Sequence, residues 1–86
     1  MLYSIYATIM SRQTEVPVYN RVEAIRSAQG LSRQQLADAV GVHYQTIGYL
    51  ERGEYSPSLS LALRISATLD ADIQNIFSIK PFRKGL

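Results

Sequence analysis

One run of the sequence, Leu36 to Leu50 (LADAVGVHYQTIGYL), constrains the fold more than any other. Leu36, Val40, Val42, Ile47 and Leu50 are apolar, Ala37 is small and Gly41 is flexible. Ile47 and Leu50, three apart, pin one side of a helix to a core, and Leu36, Ala37 and Val40 do the same for the helix before it. Two helices that meet steeply across a tight turn need a small residue where their backbones approach, which suits Ala37. The turn itself needs a residue that accepts a left-handed conformation, and glycine does so at no steric cost. Val42 then plugs the turn from inside. Any packed pair of helices shows some of these features, but their combination at these offsets is rarely accidental.

The flanking sequence is punctuated as a bundle of short helices. Asn20 with Glu23 has the pattern of a capping box, followed by Val22, Ile25 and the aliphatic stem of Arg26 at helical spacing, and Gly30 closes that helix. Ser32 with Gln35 repeats the device for the second helix, which Gly41 ends. The third starts near His43 or Tyr44 and runs to Gly53. Pro57 and Ser58 lead into a fourth helix carrying Leu59, Ala62, Leu63, Ile65 and Leu69, and Asp70 stands where a helix C-terminus often has Gly or Asn. Asp72 is placed to cap a last short helix with Ile73, Ile76 and Phe77. The expectation is an all-α domain of five helices over residues 19–78. Residues 1–18 form an arm in which MLYSIYATIM leans toward strand. It is read as a strand that pairs in a dimer or with Ser78–Phe82, as a disordered leader, or as sequence upstream of a start at Met10; Pro17 marks its end. Residues 79–86, with Lys80, Arg83 and Lys84, read as a basic, solvated tail.

Composition narrows the class. At 86 residues the chain is one domain, near the size at which a single apolar core suffices. Its 47% hydrophobic and 19% charged residues fit a globular protein and argue against wholesale disorder. Without cysteine there is no disulfide framework and no thiolate metal site. MLYSIYATIM is too short to span a bilayer and lacks the basic start of a signal peptide, so the cytoplasm is the default location. His43, the single histidine, has no neighbouring acid or nucleophile arranged for catalysis, and no phosphate-binding glycine loop or metal-ligand cluster is present. Neither an enzyme nor a cofactor or small-molecule ligand is expected. The net charge of +2 permits a polyanionic partner without demanding one.

The corner at Gly41 is a helix-turn-helix arrangement, in which the second helix is presented to the major groove of DNA. Here the resemblance becomes specific. GLSRQQLADAVGVHYQTIGYLERGEYSPSLSLALRIS followed by LDADIQNIF, within a stretch from Asn20 to about Phe77, resembles the Cro/C1-type (XRE) helix-turn-helix regulators, and most of all the small stand-alone ones. The resemblance implies a compact five-helix, lambda-repressor-like DNA-binding domain and a homodimer on double-stranded, near-palindromic operator DNA. Two departures stand out. Gly48 occupies a position where the family commonly has Ser, Lys or Glu, and His43 one where Ser or Thr usually caps the third helix. The glycine weakens the helix by about 0.5–1 kcal/mol.

At about 100° per residue, Gln45, Gly48, Tyr49 and Arg52 lie opposite the Ile47/Leu50 face, with Tyr44 in the first turn. Gln45 can pair with adenine N6 and N7, and Tyr49 can bond a phosphate or base or pack on a thymine methyl. By resemblance, Tyr44, Gln45 and Tyr49 fall on the family's base-contacting positions, though the tyrosines could equally pack on neighbouring helices. Ser32 and Arg33 match positions that touch the phosphate backbone, where the helix N-terminus adds partial positive charge. Thr46 and Arg52 are further phosphate candidates; Arg52 also reads as a cation at a solvated helix end. Resemblance further implies a structural ion pair between Arg26 and Glu51. Dimerisation is expected through Ile73, Ile76, Phe77, Ile79 and Phe82. The expected function is a transcription regulator that represses as a homodimer; the alternative is an antitoxin or protein-binding module of the same fold that masks a partner protein, with Leu2 to Met10 as its candidate surface.

Overall fold

The computed structural model describes residues 17–83. In chain order they form β1 (Tyr19–Asn20), α1 (Val22–Ala28), α2 (Arg33–Val40), α3 (Tyr44–Glu51), α4 (Leu59–Leu69), α5 (Ile73–Ile76) and β2 (Phe77–Ser78). β1 and β2 pair antiparallel, Tyr19 opposite Ser78 and Asn20 opposite Phe77. The amide of Arg21 also donates to the Ile76 carbonyl at 2.8 Å, so the start and end of the bundle are stitched together. The strand pairing therefore lies just beyond the arm, and its partner is Phe77–Ser78. The strand character of MLYSIYATIM falls outside the described residues. No helix among the described residues is long and apolar enough to cross a membrane.

The core is drawn from every helix: Val22, Leu36, Ala37, Val40, Ile47, Leu50, Leu61, Ile65, Leu69 and Ile76 are all at most 2% exposed. Ala37 is fully buried at the α2–α3 corner. Gly41 takes φ +77°, and its amide and that of Val42 both donate to the Ala37 carbonyl, at 2.8 and 3.0 Å. Arg64, from α4, donates to the Val40 carbonyl across the same corner. The turn is thus closed by backbone from one side and by a guanidinium from the other.

Helix ends follow the sequence in part. Ser32 Oγ accepts from the Gln35 amide (3.0 Å) and Gln35 Oε1 from the Ser32 amide (2.8 Å), a reciprocal capping box. Ser58 Oγ accepts from Leu61, and Asp70 ends α4 at φ 52°, in the left-handed region. Asn20 does not form the expected box with Glu23. It sits in β1, where its Oδ1 accepts from Val22 and its Nδ2 donates to the Leu50 carbonyl at the end of α3, because the strand pairing moves the cap position to Arg21. Asp72 occupies the cap position of α5 without a side-chain hydrogen bond, and Phe77 leaves the helix for β2.

Not every apolar residue that the fourth helix carries is buried: Leu59 and Leu63 are 71% and 52% exposed. They fall about 160–200° round the helix from Leu61, whereas the buried stripe is Leu61, Ala62, Ile65 and Leu69. Ile76, expected at a dimer seam, is sealed in the protomer's own core because α5 folds back under α4.

Gly41→Ala is expected to cost about 1–2 kcal/mol, since a Cβ at positive φ meets the following carbonyl. Urea unfolding checks this; unchanged or raised stability would show that the corner does not need its glycine.

Candidate nucleic-acid interface

α3 is pinned by Ile47 and Leu50, both buried, and by a charge beneath its last turn. Glu51 has a side chain only 1% exposed. Arg26 of α1 meets it as a fork, Nε to Oε2 at 2.7 Å and Nη2 to Oε1 at 3.2 Å, while Arg26 Nη1 donates to the Leu31 carbonyl at 2.8 Å. Fork geometry suits the planar guanidinium and makes these bonds stronger than neutral ones. Arg33 at the start of α2 adds a third arm, with Nε 2.8 Å from Glu51 Oε1. One carboxylate thus links α1, α2 and α3.

The third arm has an electrostatic consequence. Its hydrogen bond to Glu51, followed by Glu51's charge, raises the Arg33 pKa above that of a free arginine, and Glu23 adds a smaller pull in the same direction. The contact of Arg33 with Glu23, at 3.7 Å between side chains 43% and 62% exposed, contributes little.

On the outer side of α3, Tyr44 and Tyr49 are each 48% exposed and Gln45 is exposed, so neither tyrosine is taken into the core. Together with Arg33, Gly48 and Arg52 they line a shallow concavity of about 140 Å³. Ser32 lies at the α2 cap, where its hydroxyl keeps its hydrogen free to donate after accepting from Gln35. Thr46 is half-buried on the flank of α3. His43 holds the cap position of α3 without a side-chain hydrogen bond. Arg52 folds over the outer face, bonded to Glu54 and stacked toward Tyr49.

Four links of this site were absent from the sequence reading: Arg33 to Glu51, Asn20 to the Leu50 carbonyl, Arg64 to the Val40 carbonyl, and Arg52 to Glu54. Only the last is local enough for spacing to have signalled it.

A compact bundle that turns at Gly41 and displays one polar, aromatic helix face is the architecture of a DNA-binding helix-turn-helix domain. The family model described as helix-turn-helix matches residues 22–76. The chain belongs to that family, the Cro/C1-type (XRE) class of transcription regulators. An HTH-type transcriptional regulator of Archaeoglobus fulgidus is 40% identical over 57 residues, which cover 66% of this chain and 81% of the relative. Another, from Methanothermobacter thermautotrophicus, is 51% identical over 53 residues, covering 60% of this chain and 77% of the relative. Among solved structures, the restriction-modification controller protein C.AhdI from Aeromonas hydrophila superposes with a TM-score of 0.61 at 33% identity, covering 64% of this chain and 83% of that one.

Glu51→Gln is expected to destabilise the fold by about 3–5 kcal/mol, because it leaves Arg26 buried without its counter-charge. Denaturant unfolding measures it. A loss under about 1 kcal/mol would mean that the network is incidental.

Proposed function

We propose that the protein represses transcription as a homodimer that sets its two α3 helices about 34 Å apart in successive major grooves of a near-palindromic operator. The observation that carries this reading is the division of α3. Ile47, Leu50 and the Glu51 carboxylate anchor one side, while Tyr44, Gln45 and Tyr49 stand exposed on the other beside two arginines. In this reading Tyr44, Gln45 and Tyr49 meet base edges, and Ser32, Arg33 and Thr46 meet phosphates. A dimer so seated occludes a promoter without needing a second activity.

Phosphate contacts supply most of the affinity through counterion release, so binding falls steeply with salt. Base contacts supply the preference. Glu51 holds Arg33 at the mouth of the concavity, which reduces the entropy lost when a phosphate meets it.

For the seam of the homodimer, Ile73, Phe77, Ile79 and Phe82 remain after Ile76 is assigned to the core. Ile79, 68% exposed, is the most open of them. Phe82 stacks under Arg21, whose Cζ is 4.5 Å from the ring centroid. The alternative function, masking a partner protein, draws its support from Leu59 and Leu63, one turn apart and open on α4.

Gln45→Ala should weaken operator binding by about 1–3 kcal/mol with the melting temperature nearly unchanged, as titration by fluorescence anisotropy would show. Unaltered affinity would remove Gln45 from the reading set. Sedimentation should find a dimer at micromolar concentration and a monomer for Ile79→Lys; a wild-type monomer that stays monomeric on DNA would overturn the dimer.

A further inference from the structure

Gly48 lies on the outer side of α3 yet is buried. Arg52, one turn further on, covers it: a Cβ at position 48 would stand 3.3 Å from Arg52 Nη1. The long side chain runs back along the helix instead of outward.

Two other groups hold it there. The guanidinium carbon lies 5.2 Å from the centroid of the Tyr49 ring, within cation–π range. Nε and Nη2 donate to Glu54 Oε2 and Oε1 at 3.0 and 3.4 Å. That fork uses the side edge of the guanidinium and leaves Nη1 and the outer hydrogen of Nη2 as a second pair of parallel donors. The group borders the same concavity as Tyr44 and Gln45.

Resting on the DNA-binding reading above, we propose that Arg52 reads a base: its guanidinium takes the place of the side chain that position 48 lacks and donates to O6 and N7 of a guanine. The phosphate role suggested by its sequence position fits this geometry less well. A phosphate contact calls for an arm extended to the rim, and this arm is folded over the middle of the reading face. The free donor pair matches the two acceptors of guanine, the commonest specific arginine contact. Glycine at 48 is what opens the slot, so the departure from the family's usual residue becomes part of the recognition surface.

Sites selected from random DNA by wild type, Arg52→Lys and Glu54→Gln test this, with anisotropy titrations across salt on the selected site. Lysine keeps the charge and loses the fork. We expect a G·C pair in each wild-type half-site, its preference reduced about 5- to 150-fold in Arg52→Lys with the salt slope unchanged. Glu54→Gln, which frees the arm, should flatten the same position. A wild-type site without such a pair, or one that Arg52→Lys leaves intact, would overturn the assignment. So would an Arg52→Ala variant that weakens all sequences alike and lowers the salt slope by about 0.9, the mark of a phosphate contact. If wild type enriches no site at all, the DNA-binding reading fails first and takes this one with it.

Discussion

The Glu51 carboxylate is the constraint on which the reading head depends. It sits almost wholly out of solvent at the end of α3 and is bonded by Arg26 from α1 and Arg33 from α2. A buried carboxylate without partners would be expensive, so the two guanidiniums fix where α3 can lie relative to both earlier helices. The apolar contacts of Ile47 and Leu50 supply attraction but little orientation, because hydrophobic burial is non-directional. Charge-assisted forks supply the orientation. A helix of eight residues, lacking a side-chain N-cap and carrying a glycine, needs that external reference.

The same logic recurs at the other helix ends. Short helices leave a large share of their carbonyls without partners. Arg64 satisfies Val40, Asn20 satisfies Leu50 and Gln29 satisfies Leu69, while Arg26 satisfies Leu31 in the loop between α1 and α2. Among the described residues no buried side-chain nitrogen or oxygen lacks a partner. These links turn a set of marginal helices into one frame, and they leave the outer face of α3 as the place where donors and aromatic rings remain open.

Much of the frame was legible in the sequence because it rests on local rules. Ser32 with Gln35, Gly41, Ser58 and Asp70 announce helix ends through contacts within a few residues, and Ala37, Ile47 and Leu50 announce the corner through helical spacing. What stayed hidden depends on distant partners. Asn20 looked like a local cap, but its amide nitrogen bonds a carbonyl thirty positions away and its backbone belongs to a strand pair. The fourth helix carries leucines on both sides of its polar strip of Ser60, Arg64 and Thr68, so spacing alone did not say that Leu61 faces inward while Leu59 and Leu63 face out. Ile76 read as a surface anchor because a four-residue helix has too few positions to define a face. At the site, the outward placement of Gln45 and Tyr49 followed from Ile47 and Leu50. The fold of Arg52 over Gly48 did not, since it is a rotamer choice set by Tyr49 and Glu54.

The residues that orient α3 and the residues it exposes form one device: a buried charge fixes the rod, and the open side of the rod meets a duplex. The most direct measurement is an amide chemical-shift titration of the labelled protein with its selected DNA site. Shifts should concentrate at Ser32–Arg33 and from Tyr44 to Arg52, with α4 around Leu59 and Leu63 quiet. Shifts confined to that α4 surface, with α3 unmoved, would contradict the reading of α3 as the helix that meets DNA.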